Sequence, residues 1–183
     1  FAQLGKHMAA GASFISNFVF WNEAGYFDKA ADAKPLLHLW SLGIEEQFYI
    51  IWPFVLWFGW KNKWNLLRVT ITIAAISFAI NIITSKHGTA APFFLPPTRF
   101  WELLIGATLA YILTHENKPN IPARYVQLSS FAGILLLLSG FIFISRDNVF
   151  PKFWALMPVF GAALLIISGP NAWVNRHILS NRI

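Results

Sequence analysis

The sequence contains no cysteine and few charged residues, and both shortages limit the functions open to it. Because none of the 183 residues is Cys, disulfides, thiolate metal sites and a cysteine nucleophile are excluded. Asp, Glu, Lys and Arg make up only 12% of the chain, whereas hydrophobic residues make up 56%. Ordinary soluble domains are about a quarter charged, so this composition predicts a membrane protein. Any group transfer that it performs must use oxygen or nitrogen chemistry.

The basic residues do not form a patch that nucleic acid would recognise. The formal net charge is +6, but Lys and Arg are scattered singly through short polar segments between apolar runs. A nucleic-acid-binding protein gathers such residues on one face or along one helix. The sequence also lacks zinc-ligand spacings, phosphate-binding glycine loops and nucleophile elbows. Neither nucleic acid nor a bound metal is therefore expected.

Apolar runs divide the chain into predicted membrane spans. A helical span needs about 20 apolar residues, so 183 residues leave room for roughly five or six spans. Short connections with Asn, Pro or charged residues separate the runs. The predicted fold is therefore all-α, a polytopic transmembrane helix bundle that forms one domain over residues 1–183. Its six predicted spans cover residues 4–20, 39–60, 66–83, 99–114, 126–144 and 153–168.

One of these spans carries ionisable groups where a membrane helix is normally apolar. The segment PLLHLWSLGIEEQFYIIWPF, residues 35–54, sets His38, Glu45, Glu46 and a glutamine among aromatic and aliphatic side chains. In a helix, His38 and Glu45 lie two turns apart and share a face with Tyr49. Successive residues turn by about 100°, so the Glu-Glu-Gln tripeptide cannot point in one direction. At least one of its side chains must therefore find a partner on a neighbouring helix or reach water.

Two interpretations of this segment are open. A carboxylate inside a span costs a few kcal/mol unless it is paired, protonated or beside a wet cavity, so the polar side chains indicate a buried cluster. Alternatively, residues 36–47 form a helix at the membrane surface, and only residues 48–60 insert. That shorter run has 13 residues, which is too few to cross a bilayer comfortably.

A second polar constellation lies in PPTRFWELLIGATLAY, residues 96–111. Two prolines end the preceding segment, Thr98 is placed to cap the new helix, and Arg99 and Glu102 follow three residues apart. That spacing favours a local ion pair, which is how membrane proteins commonly accommodate such charges. The planar donor fork of an arginine at the membrane edge is equally suited to a phosphate or a carboxylate.

Together these segments resemble a known family. The stretches KPLLHLWSLGIEEQFYIIWP (34–53) and TRFWELLIGATLA (98–110), with FISNFVFWNEAGYFD (14–28) upstream, are similar to the acyltransferase 3 family of bacterial membrane O-acyltransferases. Members of that family modify O-antigen or peptidoglycan sugars. The resemblance implies a multi-pass protein in the lipid of the bacterial inner membrane, with an acyl-CoA co-substrate such as acetyl-CoA and no bound cofactor. It also implies that the acceptor is a hydroxyl of a cell-envelope glycan.

The chain differs from this family in extent. Family members begin with a span that bears an arginine and a histidine thought to be catalytic, and no such span precedes the first residue here. They also continue past a segment like NRHILSNRI, often into an SGNH-type domain outside the membrane. The sequence is therefore interpreted as an internal part of such an enzyme, and the isolated chain is expected to lack activity.

The resemblance also suggests roles for individual residues. Acyl transfer to an alcohol needs a base, donors for the developing oxyanion and a water-poor cavity. Glu45 or Glu46 is predicted to orient or charge the catalytic histidine of the preceding span. His38 would add a second polar group on the same face, and Tyr49 would donate a hydrogen bond. The candidate substrate-binding residues are Trp40, Ser41, Arg99 and Glu102.

A second class of function uses the same side chains. In a polytopic transporter or flippase, buried Glu, His and Arg residues form a proton relay or a substrate path. Such a protein would show substrate flux without an acylated product. The family resemblance, rather than the composition, favours the acyltransferase over the transporter.

Overall fold

The protein is helical wherever its structure is described. The computed structural model describes residues 2–24, 36–86, 90–114, 122–144 and 151–180, and these ranges contain no strand. The helices are α1 (Ala2–Ala12), α2 (Ser16–Ala24), α3 (Leu39–Lys61), α4 (Leu66–Ser85), α5 (Ala91–Phe94), α6 (Pro96–Thr114), α7 (Ala123–Phe143) and α8 (Leu156–Ser168). A 3₁₀ turn, Phe153–Ala155, leads into α8, and a π-helical turn, Asn175–Leu179, follows it. The all-α prediction is confirmed.

Two of the described helices are long and apolar enough to cross a membrane. Helices α4 and α7 have 20 and 21 residues, and each contains an 18-residue window with a mean hydropathy of 2.0. Only 17% of each window is buried, whereas an apolar helix in the core of a soluble protein would be mostly buried. A shorter apolar segment covers Phe153–Ser168. The described residues thus contain two candidate spans, and the predicted total of six is not confirmed.

The prediction of one continuous span over residues 4–20 is wrong. Helix α1 ends at Ala12 and α2 begins at Ser16, and Phe14 between them has a backbone φ of 56°. That left-handed conformation is unfavourable for a residue with a side chain and cannot continue a helix. The two helices have 11 and 9 residues, so the longer one extends about 16 Å, roughly half the thickness of a bilayer core.

Helix α3 runs without interruption through both parts of the polar segment. It has 23 residues and includes Pro53, which has no N–H to donate to the carbonyl one turn earlier. Its length of about 34 Å is sufficient for a span, but the two glutamates keep it outside the apolar class of α4 and α7. The surface-helix interpretation places residues 36–47 at the membrane surface and residues 48–60 inside the membrane. In the structure, residues 39–60 belong to one continuous helix.

The chain folds into two compact units, Phe1–Leu104 and Ile105–Ile183, and α6 is continuous across their boundary. In the first unit, polar side chains of α2 hold it against α3 and α5. The Ser16 hydroxyl donates to the carbonyl of Leu39 at 2.6 Å, and the Asn17 amide donates to the carbonyl of Phe94 at 3.1 Å. Both side chains are buried, so these bonds satisfy groups that have lost water.

A glycine allows α3 to approach this polar face of α2 closely. A Cβ at Gly43 would lie 3.1 Å from the Ser16 hydroxyl, 3.2 Å from Asn17 Oδ1 and 3.2 Å from the Phe14 carbonyl oxygen. All three distances are shorter than ordinary van der Waals contact. The glycine inside the LGIEEQ motif is therefore needed because of packing, since α2 occupies the space of its missing side chain.

Helix α4 fixes the first turn of α6. The Ser77 hydroxyl donates to the Pro97 carbonyl at 2.6 Å and accepts from the backbone N–H of Trp101 at 3.0 Å, which links the two ends of one helical turn. Asn81 Nδ2 donates to the carbonyl of Thr98 at 3.0 Å. Because both α4 side chains are buried, the start of α6 has a defined position and orientation.

The role predicted for Thr98 is wrong in detail. Helix α6 already includes Pro96, so Thr98 lies inside its first turn instead of capping it. The Thr98 hydroxyl donates backwards to the carbonyls of Pro92 and Leu95, at 2.9 and 2.6 Å. Proline is well suited to the first helical position because it has no N–H to leave unsatisfied, which explains the earlier start of the helix.

In the second unit, α7 and α8 pack through glycines. A Cβ at Gly133 would lie 2.9 Å from the carbonyl oxygen of Gly161, and a Cβ at Gly161 would lie 3.0 Å from that of Gly133. Small residues that bring two backbones together in this way are typical of helix pairs in membranes. After α8, Asn175 Nδ2 donates to the carbonyls of Leu165 and Gly169, at 2.8 and 2.7 Å, which secures the chain after the helix.

Candidate functional site

The polar residues of α3 and α6 form one small pocket in the first unit. Four residues from two successive turns of α3 and three residues of α6 line the pocket. Its volume is about 60 Å³. The pocket is lined by Trp40, Ser41, Ile44, Glu45, Arg99, Glu102 and Leu103. Five of the eight side chains predicted as site residues therefore lie together: Trp40, Ser41, Glu45, Arg99 and Glu102. Two segments about 55 residues apart in sequence meet here, because α5 packs against α3 and Arg99 at the start of α6 lies over the Trp40 ring.

Arg99 and Glu102 form the ion pair that their spacing predicts. Arg99 Nη2 lies 2.9 Å from Glu102 Oε2, one helical turn away on α6. The two side chains are only 14% and 19% exposed, so the pair is largely shielded from solvent. Charges this far removed from water are stable only when they are paired, and breaking such a pair by removing one partner is strongly destabilising.

The indole of Trp40 forms an aromatic wall of the pocket. The guanidinium carbon of Arg99 lies 5.5 Å from the centre of the Trp40 ring, within the range of a cation–π interaction. Phe93 and Phe94 of α5 contact the same indole, with ring centres 4.2 and 5.7 Å away. These contacts fix the orientation of the indole, and Trp40 in turn helps to hold the arginine.

Glu45 differs from the other charged residues of the pocket because it has no ion-pair partner in the described part of the chain. It is half-buried, and it makes no hydrogen bond or ion pair with any residue that the structure describes. An ionised carboxylate only accepts hydrogen bonds, so its oxygens can receive a donor from a substrate or from another segment of the protein. Of the two adjacent glutamates, Glu45 is therefore the one that lines this pocket.

Three predicted site residues lie away from the pocket. Glu46 is half-buried and does not line the pocket. Tyr49 is 56% exposed and lies one turn past the last residue of α3 that lines the pocket. His38 is exposed in the turn before α3 and does not line the pocket, although its backbone angles are helical.

The third polar residue of the tripeptide, Gln47, has a structural partner on α2. Its side-chain amide donates to the Phe14 carbonyl at 2.6 Å and to Asn17 Oδ1 at 2.9 Å. The prediction that at least one of the three side chains finds a partner on a neighbouring helix is confirmed. Gln47 satisfies the left-handed turn at Phe14, and it fixes the rotation of α3 that directs Glu45 into the pocket.

We expect Asn17→Leu to destabilise the first unit by about 2–6 kcal/mol. The Asn17 side chain donates to the Phe94 carbonyl and accepts from Gln47, and each bond is worth about 1–3 kcal/mol when one partner is removed. The measurement is thermal unfolding of the detergent-solubilised protein. Asn62→Leu is the matched control, because Asn62 also donates to a carbonyl, that of Phe58 at 2.7 Å, but is exposed. Equal melting temperatures for the two variants would contradict the structural role of Asn17.

A second charged cluster was not predicted from the sequence. His7 Nε2 lies 3.0 Å from Glu23 Oε2, and Lys6 Nζ lies 2.9 Å from Glu23 Oε1. His7 is only 3% exposed, and its ring packs on Phe20 with centres 4.7 Å apart. These residues join α1 to α2 across the turn at Phe14. Their spacing of 16 and 17 residues has no helical periodicity, so only the hairpin arrangement of the two helices reveals the cluster.

Within the described ranges, His, Asp and Glu residues do not form a group of three or more that could hold a metal ion. The pocket nevertheless contains the kinds of side chain that acyl transfer uses. It has the Glu45 carboxylate, which no described residue pairs with, a fixed cation, a hydroxyl from Ser41 and an aromatic wall.

Comparison with known proteins assigns these motifs to a family. A family model described as an acyltransferase domain, of the acyltransferase 3 type, matches residues 8–182. An uncharacterized protein of Haemophilus influenzae is 32% identical over 177 residues, covering 91% of this chain and 71% of that protein. The peptidoglycan O-acetyltransferase OatA of Listeria monocytogenes is 36% identical over 148 residues, or 76% of this chain. The O-acetyltransferase OatA of Staphylococcus aureus is 32% identical over 156 residues, or 80% of this chain.

The named O-acetyltransferases are much longer than the part that this chain matches. The chain covers 24% of the Listeria protein and 26% of the Staphylococcus protein. No solved structure matches the chain. Since the family model matches almost the whole sequence, both polar segments included, the chain belongs to the acyltransferase 3 family.

Proposed function

We propose that this chain is part of a membrane O-acyltransferase that transfers an acyl group, most simply acetyl, to a sugar hydroxyl of a cell-envelope glycan. The observation that carries the proposal is the pocket, in which the residues of the two family-like segments meet. The printed names of the Listeria and Staphylococcus relatives describe O-acetyltransferases, and the former names peptidoglycan as the acceptor. These names support a hydroxyl of peptidoglycan, or of a related envelope polysaccharide, as the acceptor.

The reaction is proposed to proceed by attack of the acceptor hydroxyl on the donor carbonyl. The new bond joins the hydroxyl oxygen to the acyl carbon, and with an acyl-CoA donor the bond from that carbon to sulfur breaks. The hydroxyl loses its proton to a base, and the CoA sulfur leaves as the thiol. Acyl-CoA, with acetyl-CoA as the simplest case, is the donor that the family resemblance implies, and its use by this protein is part of the proposal.

Glu45 is proposed to orient, or to hold the charge of, the histidine that acts as this base. That histidine is implied by the family resemblance. The position of Glu45 on the pocket wall, with no partner in the described structure, supports it over Glu46 for this role. His38 and Tyr49 remain predicted catalytic residues, and because both are exposed, another segment would have to bring substrate to them.

The other pocket residues are proposed to bind substrate and to limit water. Trp40 and Leu103 give the pocket apolar walls, and Arg99 with Glu102 provides a fixed pair of charges at its edge. A small pocket that admits little water protects an activated acyl group from hydrolysis. The surroundings of such an enzyme are proposed to be the bacterial inner membrane, and an SGNH-type domain beyond this sequence is a further proposal.

We expect deletion of the gene to remove one acyl substituent from an envelope glycan. The experiment is mass spectrometry of cell-envelope polysaccharides from wild-type cells, deletion cells and deletion cells that express the protein again. The mass of one acyl group per modified sugar should disappear on deletion and return on complementation. If no glycan changes while the protein is present in the membrane, the proposed function fails. Flux of a substrate driven by a pH gradient would then establish the transporter alternative.

A further inference from the structure

The charges around the pocket oppose an anionic ligand. Its lining contains two carboxylates, Glu45 and Glu102, and one cation, Arg99. The cation is already bound by Glu102 at 2.9 Å. A phosphate entering here would have to displace Glu102 from the arginine and then face both carboxylates. In a shielded site, like charges this close cost several kcal/mol, so phosphate groups of a nucleotide-bearing acyl donor do not suit this pocket.

Carboxylate oxygens of the pocket lack hydrogen-bond donors among the residues that the structure describes. Glu102 Oε1 is buried and accepts no hydrogen bond from the residues that the structure describes. Glu45 also has no donor within the described part of the chain, and a carboxylate has two oxygens, so it can orient a histidine and still face a ligand. A buried acceptor without a donor is costly. The ligand that satisfies these oxygens must therefore bring O–H or N–H groups.

The size and the aromatic wall of the pocket narrow the ligand further. A volume of about 60 Å³ holds about four water-sized groups, so the pocket receives one edge of a ligand and not a whole coenzyme. Trp40 is fixed by Phe93 and Arg99, and it offers a flat apolar surface beside the carboxylates. A sugar ring has such a mixed character, with hydroxyl donors on its edge and C–H groups on its faces.

We infer that this pocket binds an uncharged, hydroxyl-bearing edge of the carbohydrate acceptor, and that the phosphate groups of the acyl donor bind elsewhere. The inference rests on the proposed acyl transfer and assigns one of its two substrates to these residues. Glu102 Oε1 accepts a hydrogen bond from an acceptor hydroxyl, while Oε2 remains with Arg99. The ion pair therefore holds the Glu102 carboxylate in place as a hydrogen-bond acceptor for the sugar, and it does not bind anions.

The test is steady-state transfer kinetics of the complete membrane enzyme with Glu102→Gln. Donor and acceptor concentrations are varied separately, with acetyl-CoA as the donor probe and a soluble peptidoglycan fragment as the acceptor probe. We expect KM for the acceptor to rise about tenfold or more, since a hydrogen bond to a charged group is lost, while KM for the donor stays unchanged. If the pocket instead binds the donor phosphates, removing a negative charge should lower KM for the donor, and that result would overturn the inference.

Two further variants distinguish a specific loss of acceptor binding from a general loss of structure. Glu23→Gln removes a carboxylate that is paired with a cation at the same 2.9 Å distance but belongs to the α1–α2 cluster, and it should alter neither KM. Ser41→Val narrows the pocket without changing its charge, and it too should raise KM for the acceptor alone. It replaces Glu102→Gln if that variant does not fold. A fall in kcat with both KM values unchanged would overturn the binding assignment, and absence of transfer by the wild-type enzyme would instead refute the proposed function together with it.

Discussion

Glu45→Gln should reduce kcat/KM of acyl transfer by about 100-fold or more. Glutamine keeps the shape of the side chain but loses the charge that would orient and stabilise a protonated histidine base. Positioned acid–base groups contribute about 10²- to 10⁴-fold to rates, and loss of the charge should remove much of that factor. Fold stability should change little, because Glu45 makes no hydrogen bond or ion pair with the residues that the structure describes. Transfer is measured in membranes that contain equal amounts of the two proteins.

The adjacent glutamate provides the control. Glu46→Gln makes the same chemical change one residue further along α3, outside the pocket, and should cost less than about tenfold, since a half-buried group remote from the reaction acts only indirectly. Loss of activity in Glu46→Gln with full activity in Glu45→Gln would reverse the assignment. Equal and small effects in both would remove the tripeptide from the proposed mechanism.

The sequence predicts those parts of the site that depend on local geometry. Arg99 and Glu102 pair at 2.9 Å because residues three apart on a helix are neighbours whatever surrounds them. The side chains of residues 45–47 could be expected to point in different directions, because successive residues of a helix turn by about 100°. The partner of Gln47 was not predictable from this period, since Asn17 and Phe14 lie 30 and 33 residues earlier on a separate helix.

Errors arose where long-range contacts decide the local conformation. The turn at Phe14 interrupts an apolar segment that lacks proline, and its left-handed backbone is supported by the hydrogen bond from Gln47. Neither fact can be seen in the residues around the turn. His38 precedes α3 with helical backbone angles, but its side chain is exposed and does not line the pocket. Tyr49 shares the helical face but lies beyond the depth of the pocket.

Substitution of Gly43 by valine should destabilise the first unit enough to prevent accumulation of the folded protein. A Cβ there would already lie 3.1–3.2 Å from Ser16, Asn17 and the Phe14 carbonyl, and the branched methyl groups of valine would extend further into α2. Overpacking of this kind costs about 1–3 kcal/mol, and separation of α2 from α3 would also break the hydrogen bonds of Gln47. The sum is a large fraction of a typical stability of about 5–15 kcal/mol.

A graded series distinguishes this steric cause from a general intolerance of the helices to substitution. Gly43→Ala should be less harmful than Gly43→Val, because its single methyl requires a movement of only a few tenths of an ångström. Gly5→Val should be tolerated, since no atom lies within 4 Å of a Cβ at Gly5 on α1. Membrane-inserted protein is quantified and its unfolding temperature is measured in detergent. If Gly43→Val unfolds at the same temperature as Gly5→Val, the close approach of α2 to α3 does not support the pocket. Some other contact must then direct Glu45 towards its substrate.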